Sequence, residues 1–460
     1  MSDVTLRSAR PEPRPADPDG GEGDRIPLSL QQEFLRMVDK GDEAGPFGPQ
    51  YTIVGGWRVE GELDVPTLRD ALHDVVVRHE ALRMTVVRDG DEQHQRLWPA
   101  TPPDLRVRDL PADPAHRDAV AEEFLNEVEA GLFGADERPL IRAALGRFDA
   151  GDALLVLLAH HTLVDGWSIH VVMRDLAVCY AARREGRAPE LPAVRQYRDY
   201  VAWQRANADE PGVAISREYW RETLDGARLL PLRTDRARGS QGSDATGWYR
   251  FLLDEEFDPA LRRVAAETRS SPFMVLLAAY LLYLRERTGR TDIVLPTFMP
   301  GRGEPWSHEL VGFFYNFIPL RTDIAGCAGF RDVIARVRAT CLAAYANELP
   351  SVQFMDEAPE LMDSVSDPRT AAVVFQVTQS PHMMYGERIG DLTYTAVRRR
   401  VVSAPVGSEI PDGVLWGLET HPSGGMIGSI GYTTELFDEK TVAGMAADFQ
   451  RVLRENLLGR

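Results

Sequence analysis

The pattern of apolar and polar positions divides the chain into helical and strand-like segments. Residues 63–87 open with Asp64, which can cap a helix whose first turn holds Pro66. Val65, Leu68, Leu72, Val75, Val76 and Leu82 recur at helical spacing, so one face should be buried, and 83–87 then turns strand-like. Residues 253–284 repeat the plan. Asp258 reads as a cap with Pro259 at the first helical position, a second capped helix starts near Ser271 and Pro272, and a strand follows at 292–297. Residues 153–159 are continuously apolar, as suits a strand covered on both faces. An amphipathic helix is expected over 168–183. A last helix falls within 434–455, with Asp438 as cap and Val442, Met445, Phe449, Val452 and Leu453 turned inward. The pattern predicts two α/β lobes of similar plan, although the halves are too dissimilar in sequence to prove a repeat.

Length supports two lobes, because 460 residues exceed the roughly 250–300 that one core usually holds. Residues 1–25 are poor in apolar groups and rich in breakers, so a disordered leader is expected. A first lobe is assigned to 26–185, a crossover to 186–250 and a second lobe to 251–460. Within the crossover, 197–206 is helix-like, and the Gly/Ser/Arg-rich stretch 234–246 reads as an exposed, mobile loop. A Gly/Pro/Ser-rich excursion at 403–413 is of the kind that often covers an active site.

Charge and cysteine usage narrow the function classes. A net charge of −18 argues against nucleic acid or an anionic membrane as the main partner. The longest apolar stretch, 273–284, falls far short of the roughly 20 residues a membrane span needs, and reads as a buried helix. Cys179, Cys327 and Cys341 have no metal or redox spacing, and no secretory signal is present. Reduced thiols and a cytoplasmic location are expected.

The sharpest chemical feature follows the apolar run 153–159, which ends in His160 and His161; a short turn then leads to Asp165 and Gly166. Neighbouring strand residues point to opposite sides, so only one histidine can face a cleft. Asp165 can order the turn by capping the next helix or by pairing with an arginine. Gly166 frees the backbone where the chain reverses. An imidazole is a suitable base at neutral pH, typically contributing about 10²–10⁴ in rate. A thioester is already activated, so a base and good positioning suffice for acyl transfer to an amine or alcohol. No Gly-x-Ser-x-Gly elbow and no cysteine near the histidine pair offers a covalent nucleophile. Two other readings of the pair stand beside this one. A histidine on an apolar edge is ordinarily a packed core residue. Two histidines and an aspartate can also bind a metal, but the histidines diverge and no further cluster has ligand spacing.

His160-His161-Thr162-Leu163-Val164-Asp165-Gly166 resembles the HHxxxDG motif of nonribosomal peptide condensation domains. That motif is shared with epimerisation domains, plant-type acyltransferases, wax-ester synthases and carnitine acyltransferase relatives. Further matches, in the family's order, narrow the choice. They are Leu28-Ser29-Leu30-Gln31-Gln32, Arg78-His79-Glu80-Ala81-Leu82-Arg83, the segment from Tyr197 to Gln204, Pro300-Gly301-Arg302, Val311 to Asn316, Phe375-Gln376-Val377 and Leu436-Phe437-Asp438.

The resemblance implies an α/β fold of two chloramphenicol-acetyltransferase-like lobes, a V-shaped pseudo-dimer with a central tunnel. By position His161 is the catalytic histidine, with His160 and Asp165 in support, while Gly166 lines the tunnel and offers its N–H to the developing oxyanion. Arg302 is the candidate partner of Asp165 across the lobes. Arg78, with Glu80 and Arg83, is expected in a structural ion-pair network. Trp167, Ser168, Asn316 and Gln376 are expected at the tunnel or lobe contact, and Tyr197, Trp203 and Phe313 in packing. Met84 and Tyr315 depart from the Thr and Val common at their positions.

The implied activity is transfer of a carrier-tethered aminoacyl or acyl thioester to an amine or hydroxyl. The enzyme would bind no cofactor or metal itself. Phosphopantetheine would come on an acyl or peptidyl carrier protein, and a small-molecule or polyketide-type acceptor would complete the reaction on a monomeric enzyme. With no adenylation motif or carrier site in the chain, a complete stand-alone enzyme is expected. The rival readings are a non-catalytic docking module, whose known relatives have lost the histidine motif, and an epimerisation-type relative, for which no second acid/base group is identifiable.

Overall fold

A computed structural model describes residues 25–459 apart from 40, 42–44, 89–92, 112, 135–136, 241–244, 379–381, 411–412 and 421–424. The expected leader lies outside the described residues except for Arg25, which joins Ile26 in a short strand against His94–Leu97.

Two sheets organise the molecule. The first has six strands, in the order Tyr385–Ile389, Leu392–Ala396, Thr52–Glu60, Asp152–His160, Ile141–Asp149 and Asp104–Asp109. Only the last two run parallel. The second has five, in the order Leu232–Arg233, Thr370–Val377, Gly413–Thr420, Met426–Thr433 and Thr246–Leu253. Each sheet belongs to its own large core.

The lobe boundaries drawn from sequence need one correction. The hairpin Tyr385–Ile389 and Leu392–Ala396 belongs to the C-terminal half of the chain, yet it completes the first sheet by pairing with Thr52–Glu60. Leu392 and Tyr394 are buried in the first core, which explains why the edge is closed by so remote a segment. The crossover is divided in the same way. Tyr197–Ala206 packs Tyr197, Tyr200 and Val201 into the first core, while Pro211–Thr223 anchors Trp220 in the second.

Local signals were obeyed where burial agreed with them. Asp64 accepts from the Thr67 N–H at 2.8 Å and caps Val65–Arg78, a contact worth about 1 kcal/mol. Ser271 caps Pro272–Thr288, whose run 274–284 is buried throughout. Asp258 is not a cap. The helix Phe257–Thr268 starts earlier, with Glu256 at the cap position, because Phe257 is fully buried; Asp258 pairs instead with Arg262. Asp438 holds the cap position of Glu439–Leu453 but its side chain goes to Arg236. The helix expected to be amphipathic runs Gly166–Glu185 and buries thirteen of its twenty residues, since it packs against both the first sheet and Val65–Arg78. The described part of the 234–246 loop is pinned rather than free. The N–H groups of Thr234, Asp235 and Arg238 donate to the carbonyls of Arg369, Leu436 and Pro368.

Candidate active site

The strand Asp152–His160 lies in mid-sheet, buried along nearly its whole length, and delivers the two histidines to opposite sides. His160 turns into protein. Its Nε2 lies 3.0 Å from the Gly48 carbonyl, which can only accept, so Nε2 carries the proton and Nδ1 accepts from Thr162 Oγ1 at 2.8 Å. Burial pushes its pKa down to about 4.

His161 faces a cavity of about 620 Å³. Its Nδ1 lies 2.9 Å from the Val164 carbonyl, so Nδ1 is the donor and Nε2 keeps its lone pair. Tyr51 stacks on the ring at 4.9 Å and Phe313 meets it edge-on at 5.6 Å. Burial lowers the pKa below the ordinary histidine value, with the Asp165 charge opposing. The ring is therefore neutral and basic at pH 7.

Asp165 does not touch that ring. It caps Gly166–Glu185, accepting from the Ser168 N–H at 2.7 Å, and accepts from the Phe314 N–H at 3.0 Å. Arg302 Nη2 reaches both carboxylate oxygens, at 3.1 and 3.3 Å. The guanidinium also donates to Ser168 Oγ and to the Leu310 carbonyl, and lies 3.9 Å over the Phe314 ring. Asp165 and Arg302 thus clamp the turn after His161 to the segment 302–314 of the C-terminal half. Ser168 Oγ adds a contact to the Gly312 carbonyl, and Trp167 Nε1 donates to the His308 carbonyl, so both join the halves away from the cavity.

Gly166 lines the cavity, and a Cβ there would lie 2.5 Å from Tyr315 Oη. Gln376 lines the cavity as well. Asn316 does not. Strand alternation turns it away from Tyr315 and Phe317, and it binds the Leu349 carbonyl and Ser351 within the C-terminal half. Arg78 pairs with Asp175, which also holds His79 and Arg174, and Glu80 pairs with Arg198; this network lies apart from His161. Tyr197 ties Ser29 to the Phe313 carbonyl.

Other parts of the cavity wall were signalled by sequence only at Phe313 and the 403–413 excursion. One wall is aromatic, with Phe34, Phe298, Phe313 and Phe317. Another is a buried ionic belt in which Glu129 pairs with Arg250 and Arg400, and Arg398 with Glu419. Ser408, Glu409 and Ile410, from the 403–413 excursion, close part of it. Among the described residues, no group of three His, Cys, Asp or Glu side chains could hold a metal. Nor is any helix long and apolar enough to cross a membrane.

A family model for the condensation domain matches residues 23–458. The chain belongs to the condensation domain family. It is 33% identical to one of the linear gramicidin synthase proteins of Brevibacillus parabrevis over 94% of its own length, but spans only 8% of that relative. Among solved structures it resembles SgcC5 of Streptomyces globisporus, crystallised with (R)-(-)-1-(2-naphthyl)-1,2-ethanediol and sucrose. Identity is 46%, the TM-score 0.91, and coverage 94% of this chain and 98% of that one. The X-domain from teicoplanin biosynthesis is 25% identical with a TM-score of 0.75, covering 95% and 96%; it has also been solved in complex with OxyB. The fold is accordingly that of condensation domains, with two chloramphenicol-acetyltransferase-like lobes.

Proposed function

We propose that this condensation domain is catalytic and acylates a hydroxyl or amine with an aminoacyl or acyl group carried as a thioester on a carrier protein. One observation carries this reading. His161 lines a cavity large enough for two reactants, with Nδ1 held by the Val164 carbonyl and Nε2 left as a base. The acceptor's proton passes to Nε2 as its oxygen or nitrogen attacks the thioester carbonyl. Phosphopantetheine enters with the carrier as part of the substrate, and the enzyme acts as a monomer in the cytoplasm without a cofactor of its own.

A hydroxyl acceptor with an aryl group is favoured. SgcC5 was crystallised with an aromatic vicinal diol, and Phe34, Phe298, Phe313 and Phe317 offer such a ring an apolar wall here. A hydroxyl also depends more on a base than an amine does, because its pKa is far higher.

The test is to incubate carrier proteins loaded with aminoacyl thioesters with aryl diols and with amines, and to look for mass transfer. Transfer by the wild type and its loss in His161→Ala is the expected result. The likeness to the X-domain favours a second reading, recruitment of a partner enzyme without catalysis. Unaltered acyl-carrier after incubation with every acceptor, alongside intact carrier binding, would support that reading instead.

A further inference from the structure

Tyr315 lines the cavity beside His161, and its position there assigns it a task. The ring lies 6.2 Å from the His161 ring, nearly edge-on, and stacks beside Phe298. The hydroxyl sits over Gly166, the first residue of the twenty-residue helix Gly166–Glu185, where the missing Cβ leaves it room and the positive end of the helix lies close by. Burial and the Asp165 charge raise the phenol's pKa well above its ordinary value, so it stays a neutral donor. Among the described residues no acceptor takes that hydrogen, and Tyr315 lines the cavity next to His161.

We propose that the Tyr315 hydroxyl, seated over Gly166, is the hydrogen-bond donor to the thioester carbonyl oxygen during acyl transfer. The inference rests on the catalytic reading above. In the step it describes, the acceptor's oxygen or nitrogen bonds to the carbonyl carbon while its proton moves to His161 Nε2. The carbonyl π pair shifts onto oxygen, where Tyr315 O–H donates to the developing charge. On collapse the C=O re-forms and the C–S bond breaks. The departing pantetheine sulfur then takes the proton back from the His161 imidazolium. Tyr315 contributes no proton to the balance; it stabilises charge present only in the transition state and intermediate.

The test is steady-state kinetics of wild type, Tyr315→Phe and Tyr315→Val with a loaded carrier and the acceptor the wild type uses. Removal of one oxyanion donor typically costs about 10²–10³ in kcat. We expect a loss of about 10²-fold in kcat for Tyr315→Phe, with KM changed less than about threefold and an unchanged melting temperature, since the ring and its packing are kept. Tyr315→Val should lose at least as much. Reinstating the hydroxyl as a fluorinated tyrosine should restore the rate, a response that packing alone would not produce. A Phe variant with wild-type kcat, or one whose loss lies entirely in KM, overturns the inference and leaves the function standing. A wild type that transfers nothing overturns both.

Discussion

Arg302 Nη2 meets both carboxylate oxygens of Asp165 at 3.1 and 3.3 Å, with the two side chains at most 1% exposed. The pair joins residues 137 apart in sequence. Three functions converge on the one carboxylate: it caps the helix after the histidine turn, accepts the Phe314 amide and neutralises the arginine. Burying such a pair yields little net stability, but breaking it leaves a charge uncompensated. Asp165→Asn should therefore destabilise the fold by about 3–5 kcal/mol, read by chemical denaturation. Activity should fall as well, because the turn that orients His161 loosens. Arg302→Lys keeps the charge but cannot reach Asp165, Ser168 and Leu310 together, so it should fall between wild type and Asp165→Asn.

His161→Gln keeps most of the side-chain volume and removes the base. We expect transfer to drop by about 10²–10⁴ with carrier affinity unchanged. Isothermal titration with the loaded carrier and single-turnover product analysis separate these effects. A variant that retained half the wild-type rate would refute the base role.

Activity should depend on pH through the same ring. Burial lowers the His161 pKa, so the reactive neutral form predominates at neutrality and is lost only as pH falls below the ordinary histidine range near 6.5. The kcat profile should show an acid limb below about 6.5 and a plateau above it. That limb should be missing from the residual activity of His161→Gln.

Acid sensitivity of the fold has a separate origin. His160 and His170 are buried as neutral rings, with pKa values pushed down to about 4 and about 3. The unfolded chain takes up protons at these sites as pH falls through about 6.5, and the folded chain does so only near the lower values. Their effect is nil above 6.5 and increasingly unfavourable to the fold as pH drops from there toward 4, by roughly 3 kcal/mol for His160. Denaturation at pH 7.5 and pH 5 should show this loss, and His160→Gln should make the dependence shallower.

Gly166 and Tyr315 should behave as a coupled pair. A Cβ at Gly166 would lie 2.5 Å from Tyr315 Oη and 3.5 Å from its Cζ, so Gly166→Ala must displace the hydroxyl. We expect about a tenfold or greater loss of kcat in the wild-type background and a smaller one in Tyr315→Phe, where the clashing oxygen is gone. Equal losses in the two backgrounds would show that the two positions act independently.

Much of the fold's local grammar was legible in the chain. The caps at Asp64 and Ser271, the buried helix at 274–284 and the apolar motif strand depend on neighbours within a few residues, and periodicity reports such neighbours directly. Asp258 failed as a cap because burying Phe257 outweighs a local hydrogen bond. Asn316 misses the cavity because one step along a strand reverses a side chain's direction, and the motif alone did not say which face met the cavity.

What the sequence alone determined is the opposition of His160 and His161, the readiness of Asp165 to cap or pair, and the two-lobed plan, all consequences of period and short-range hydrogen bonding. Only the tertiary structure decided which segment closes the first sheet, which rings pack on His161, and that Tyr315 rests on Gly166. Those contacts join residues more than a hundred positions apart. No local pattern encodes such pairings; they are selected by which distant surfaces can be buried together without leaving a charge or an N–H unsatisfied.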